Sequence, residues 1–85
     1  MVYAIVGSVT TAARLAKKLV SNGDLQATVV HTPPQISTGG CSYSVRFSNT
    51  SPDSVRRIAN DTGIRIQKLY QERIVDGKKG YHAIS

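Results

Sequence analysis

Eighty-five residues suffice for one domain near the lower end of the usual size range. A chain this short buries only about 60% of the surface its unfolded form exposes, which leaves no room for a second domain with a deep private pocket. Hydrophobic residues make up 40% and charged residues 19%, which excludes a disordered chain; the formal net charge of +6 admits nucleic acid, an acidic protein or an anionic ligand as partner.

The opening "VYAIVGS" is β-branched and aromatic and is closed by Gly7, so it reads as a buried first strand. Ser8 or Thr10 can cap the helix that follows. In "TTAARLAKKLVSNG" the apolar residues Ala12, Leu15, Ala16, Leu19 and Val20 share one stripe, Arg14, Lys17 and Lys18 lie off it, and Gly23 supplies a left-handed stop. "QATVVHT" is a second strand, ended by Pro33 and Pro34, which cannot donate to a ladder.

After the loop "PPQISTGG", the run "CSYSVRFS" alternates. Cys41, Tyr43, Val45 and Phe47 face one way, and Ser42, Ser44, Arg46 and Ser48 the other. "SPDSVRRIANDTG" carries full helix punctuation: Ser51 as cap, Pro52 at the first position, Asp53 on the dipole, Gly63 at the end, and Val55, Ile58 and Ala59 as the stripe. "IRIQKLY" reads as a fourth strand over 64–70, with a phase slip between Ile66 and Leu69 that suggests a bulge. Asp76-Gly77 then sits between two short strand-like runs, the signature of a terminal hairpin over 71–85.

The order is βαββαβ with a C-terminal β-hairpin. It implies an α+β, ferredoxin-like two-layer sandwich over one domain, 1–85, with two helices on one face of a mainly antiparallel sheet and a core spanning 2–70. The apolar N-terminal run is short and lacks a basic leader, so a cytoplasmic protein with no membrane span is expected. The cations are scattered, with no block of five, so this is not a basic tail; solvated faces are the plain reading of most of them.

The chain has one cysteine, Cys41, directly after Gly39-Gly40. It cannot form an internal disulfide or a multi-cysteine zinc site. Its parity with Tyr43, Val45 and Phe47 argues for a small buried hydrophobe. Its place at the mouth of a strand behind two glycines argues for an accessible thiol.

A reactive thiol needs its thiolate favoured. The candidates for that role are His31, Arg46 and the backbone amides of Gly39 and Gly40. If strands two and three pair around the loop, His31 and Cys41 share parity and lie near each other. Gly39, Gly40, Ser42 and Arg46 are the candidate binding residues beside the thiol.

One Cys and two distant His fall short of any metal site, and nothing in the sequence calls for a cofactor. Gly7-Ser8 before a helix could hold an anion, though a simple strand-to-helix turn is far commoner. An RNA-recognition module needs outward aromatics on its central strands. Strand three offers Ser42, Ser44 and Arg46 there, and Tyr3 and Tyr43 are expected to face inward, so nucleic acid is disfavoured.

The stretch "HTPPQISTGGCSYSVRF" resembles the family of putative selenium/sulfur carrier protein-like domains, through Thr32, Pro33, Ile36, Ser37, Gly40, Cys41, Ser44, Val45, Arg46 and Phe47. The opening strand, Ser8, the Ala12-Ala16-Leu19 helix and "GIRIQKLY" are also similar, so the resemblance covers roughly residues 2–70. Where many members have glycine after the cysteine, this chain has Ser42.

The resemblance implies a carrier, non-enzymatic or transferase-like. Cys41 would hold sulfur or selenium as a persulfide or selenopersulfide and pass it between partners such as a cysteine desulfurase, a selenocysteine lyase or other chalcogen-handling proteins. The alternative is a small basic interaction module, for protein or RNA, with Cys41 as a core residue. The terminal hairpin offers an edge strand to a neighbour, so a homodimer is a further expectation.

Overall fold

A computed structural model describes residues 1–37 and 43–84. The elements run β1 (Val2–Val6), α1 (Val9–Ser21), β2 (Thr28–His31), β3 (Tyr43–Phe47), α2 (Pro52–Thr62), β4 (Lys68–Val75) and β5 (Lys78–Ala83). The five strands form one antiparallel sheet in the order β2-β3-β1-β4-β5. The fold is therefore mixed α+β, with two helices and a five-stranded sheet.

Both helices form where local chemistry satisfies their ends. Ser8 Oγ accepts from the Thr11 amide at the start of α1, and Ser51 Oγ from the Ser54 amide at the start of α2, each 3.2 Å away. At the far ends, Gly23 and Gly63 sit at φ of 102° and 72°, where a side chain would be strained. Around Gly63 the Ile64 amide reaches back to the Ala59 carbonyl at 2.8 Å and the Gly63 amide to Asn60 at 3.2 Å, a Schellman closure. Around Gly23 the Asp24 amide does the same to Leu19 at 2.9 Å.

The helices lay their stripes on one face of the sheet. Ala12, Leu15, Ala16 and Leu19 of α1 and Val55 and Ala59 of α2 pack with Val2, Ala4, Val6, Val45, Phe47 and Leu69. Phe47, Leu15, Leu19 and Leu69 are completely buried, and each contributes about 1.5–3 kcal/mol of transfer free energy. Val20, at the edge of the α1 stripe, is exposed. A second, smaller cluster occupies the opposite face: Tyr3, Ile5 and Ile36, with Met1, Val30, Tyr70 and Tyr81 packed against them. β1 is thus buried on both sides.

Two boundaries differ from the sequence reading. β4 begins at Lys68, not at Ile64. The amide of Ile64 is consumed by the end of α2 and its side chain is buried there, so the alternation of Ile64, Arg65 and Ile66 belongs to a connection and not to a strand. The phase slip before Leu69 marks this entry into the strand. The segment after Tyr70 is also not a separate hairpin: its first run is the second half of β4, and only β5 is added. Asp76 (φ 53°) and Gly77 (φ 76°) make the two-residue turn with both centres left-handed, as a type I′ hairpin requires. β5 is an edge strand, and Lys78 and Lys79 place charge at its start.

Candidate functional site

The ends of four strands meet on one side of the sheet. Val6, last in β1, pairs with Tyr43, first in β3; Tyr43 also pairs with His31, last in β2; and Ile5 pairs with Lys68, first in β4. Cys41 stands two positions before Tyr43 in the chain. Cys41, Gly39, Gly40 and Ser42 themselves lie outside the described residues.

β2 and β3 do pair around the loop. His31 is exposed at the end of β2, and its ring lies 4.7 Å from that of Tyr43, tilted by 35°. It shares the helix side of the sheet with Val29, two residues earlier, and with Tyr43. Arg46 lies on the opposite side. It is half-buried beside Tyr3, its cross-strand partner, and its Nε is buried with no hydrogen-bond partner among the described residues. The structure therefore places the two described candidates, His31 and Arg46, on different faces.

The loop that leads to Cys41 is anchored by residues of the resembling stretch. Just past β2, the hydroxyl of Thr32 lies 2.6 Å from that of Ser44, both groups buried. The amides of Ile36 and Ser37 both turn back to the Pro33 carbonyl at 3.0 Å, and this directs Ile36 onto Tyr3 and Ile5. The serine-bearing side of β3 is thus covered by its own loop at Ser44. A polar pair under a loop makes a sharp prediction. Thr32→Val or Ser44→Ala alone should cost about 1–3 kcal/mol, since each leaves a buried hydroxyl unpaired, whereas the double variant should recover most of that loss. Chemical denaturation of the four proteins of the cycle measures this coupling; strictly additive losses would mean the two hydroxyls do not depend on each other.

Tyr3 corrects the inward expectation. It points away from the helices, into the second cluster, where its hydroxyl donates to Glu72 Oε2 at 3.1 Å and Tyr81 meets its ring edge-on at 5.6 Å. Only 4% of Tyr3 is exposed, so it offers no open stacking surface despite its face. Burial, followed by the bond to Glu72, raises its pKa above the ordinary 10.0, and Arg46 partly opposes this. The folded state holds the phenolic proton more tightly than the unfolded chain does. The stability from Tyr3 is therefore complete below pH 10 and is lost as pH climbs through the raised value. Tyr3→Phe should flatten the fall in melting temperature above pH 10; an unchanged alkaline slope would remove Tyr3 as its source.

Among the described residues no three His, Cys, Asp or Glu side chains gather closely enough to hold a metal ion, and no helix is long and apolar enough to cross a membrane. Sequence reasoning missed a depression of about 680 Å³ at the same end of the sheet, lined by Gly7, Thr11, Arg14, Arg65 and Gln67. Only the Gly7-Ser8 junction signalled it. These features describe a small α+β protein in which a Thr-Pro turn is pinned to the sheet on the approach to its one cysteine.

Residues 1–71 match the family model described as putative Se/S carrier protein-like, and the chain belongs to that family. The match ends at Gln71, midway along β4, so the turn and β5 lie outside the matched residues. Searches of the curated proteins and of the solved structures find no match.

Proposed function

We propose that this protein is a sulfur or selenium carrier whose cargo rides on Cys41. The observation that carries the reading is the family match across residues 1–71, a span that contains the chain's one cysteine and both anchors of the loop before it. The step needs no outside oxidant. The Cys41 thiolate attacks the terminal sulfur of a donor persulfide, a new S–S bond forms at Cys41, and the donor's own S–S bond breaks with its electron pair leaving on the donor thiolate. A terminal selenium transfers in the same way.

A carrier of this kind is best served by a lone thiol. A neighbouring cysteine would attack the loaded persulfide, form a disulfide and expel the cargo as sulfide. His31, or the amides of Gly39 and Gly40, would favour the thiolate, and Arg46 and Ser42 would contribute to docking. The partners are a cysteine desulfurase, a selenocysteine lyase or similar chalcogen-handling proteins, in a reducing cytoplasm where the thiol stays free. We also read the strand order as the ferredoxin-like arrangement with one extra edge strand, since β1 lies between β3 and β4 with β2 outermost.

The test is an intact mass spectrum. The purified chain is incubated with a cysteine desulfurase and cysteine, or with a selenocysteine lyase and selenocysteine, and weighed without reductant. A gain of one sulfur or selenium atom, removed by dithiothreitol, supports the carrier. An unchanged mass with both donors overturns it.

A further inference from the structure

The pocket at Gly7 lies where β1 ends, and the charged residues of its described lining, Arg14 and Arg65, are both basic. It is bounded by the end of β1 at Gly7, by Thr11 and Arg14 on the first turns of α1, and by Ile64, Arg65 and Gln67 on the connection between α2 and β4. Its volume of about 680 Å³ falls in the range of small-molecule sites, roughly 300–1,000 Å³. Among the described residues no acid lines it.

Two smaller depressions adjoin it at Ile64. One, of about 320 Å³, adds Lys17 and Lys18 to Arg14; the other, of about 180 Å³, adds Arg56 to Arg65. The five acids of the chain are elsewhere. Asp24 is buried against Asn49 and Thr50, Glu72 holds Tyr3 and Lys79, Asp76 is in the hairpin turn, and Asp53 and Asp61 of α2 line none of the three depressions. Five cations therefore focus a positive field on one concave surface.

The guanidiniums are suited to bind and not merely to repel. Arg14 gives one Nη2 bond of 3.2 Å to the Thr62 carbonyl, which fixes its position at the rim and leaves its other donors unpaired among the described residues. Arg65 has no hydrogen bond or ion pair among the described residues. Gly7 puts bare backbone into the wall: a Cβ there would meet only Gln67 Nε2, at 3.6 Å. The first turn of α1 carries no acid to neutralise its positive end, which adds to the field without making the site by itself.

We infer that this pocket binds a small ligand through an oxyanion group, phosphate, sulfate or carboxylate, gripped between Arg14 and Arg65. Guanidinium forks pair with such groups in bidentate fashion and stay charged at any physiological pH. The inference goes beyond the carrier reading and does not depend on it, because it rests on Arg14, Arg65 and the other described residues of the pocket.

The test is a nuclear magnetic resonance titration of the full chain with inorganic phosphate, with sulfate and with acetate, at constant ionic strength set by chloride. The expected result is saturable movement of the Gly7, Thr11, Arg65 and Gln67 amides for at least one of the three, and the arms rank the oxyanions. Arg65→Gln, which breaks no hydrogen bond or ion pair among the described residues, should weaken binding by about tenfold or more, and Arg14→Gln with Arg65→Gln should abolish it. Lys78→Gln, on the distant hairpin, should leave it unchanged. Movement that never saturates, unaltered affinity in Arg65→Gln, or a response to an RNA oligonucleotide but to none of the small anions would overturn the proposal.

Discussion

Cys41→Ser is expected to accept no chalcogen from either donor while its urea midpoint stays within about 0.5 kcal/mol of the parent. Serine keeps the size of the side chain, but its hydroxyl is not ionised near neutral pH and has no counterpart to thiol–disulfide exchange. A thiol that must meet donor and acceptor contributes little packing, so function and stability separate. A cysteine buried as a core hydrophobe predicts the opposite pair of results, no loading in either protein and a clear loss of stability in the variant.

Alkylation of the native wild type across pH sharpens the contrast. An activated thiol reacts below the ordinary value of about 8.5, while a core thiol reacts only on unfolding. In the activated case His31→Gln should move the reaction's midpoint upward in pH, because His31 ends β2 at the strand end from which Cys41 is two positions removed. An unchanged midpoint would pass the role to the amides of Gly39 and Gly40.

What the sequence discloses depends on how local its causes are. α2 is legible to the residue because Ser51, Pro52, Asp53 and Gly63 act within one or two turns of themselves. β3 is legible because Val45 and Phe47 alternate with Ser44 and Arg46, and the apolar set alone meets the helices. β1 defeats the same reasoning. Buried on both faces, "VYAIV" has no polar residue to mark its sides, so Tyr3 could not be assigned to the face away from the helices. Ile64 misled for a related reason, since one apolar residue can serve a helix end or a strand and only the hydrogen bond to Ala59 decides.

The site divides in the same way. The approach of His31 to the start of β3 follows from a short pairing of neighbouring strands and was open to inference. The anchors below the loop are partly visible. Ile36 is the one strongly apolar residue between Pro33 and Gly40, which hints at burial, but nothing in its neighbours names Tyr3 and Ile5 as its seat. The basic pocket could not be read, because Gly7, Arg14 and Arg65 are distant in sequence and converge only when the connection after α2 crosses the end of β1. There the Gln67 amide bonds the Ile5 carbonyl at 2.8 Å and sets the pocket's wall.

Asp24 is the clearest case of a structural residue with no local signal, and its removal should be among the most damaging single changes. It is 1% exposed although it is ionisable and lies in the turn after α1. Its backbone closes that helix, with the amide on Leu19, while its carbonyl accepts from Ala27 at 3.1 Å on the way to β2. Its Oδ2 accepts from the Asn49 amide at 3.2 Å and the Thr50 hydroxyl at 2.9 Å. One carboxylate therefore ties the exit of α1 to the connection between β3 and α2, 25 residues further along the chain.

Hydrogen bonds to a charged group contribute about 1.5–3 kcal/mol each. Water can reach part of the exposed Asn49 after truncation, and Oδ1 has no partner among the described residues, which both reduce the loss. Asp24→Ala should then cost about 2–3 kcal/mol, a large share of the roughly 4–13 kcal/mol available to a domain of this length. The melting temperature should fall by about 10–20 °C. Asp24→Asn, which keeps one oxygen acceptor for both donors, should lose less than half as much. Thermal and urea melts of the two variants decide the matter, and an alanine variant within about 0.5 kcal/mol of wild type would mean that this carboxylate does not hold the two connections together.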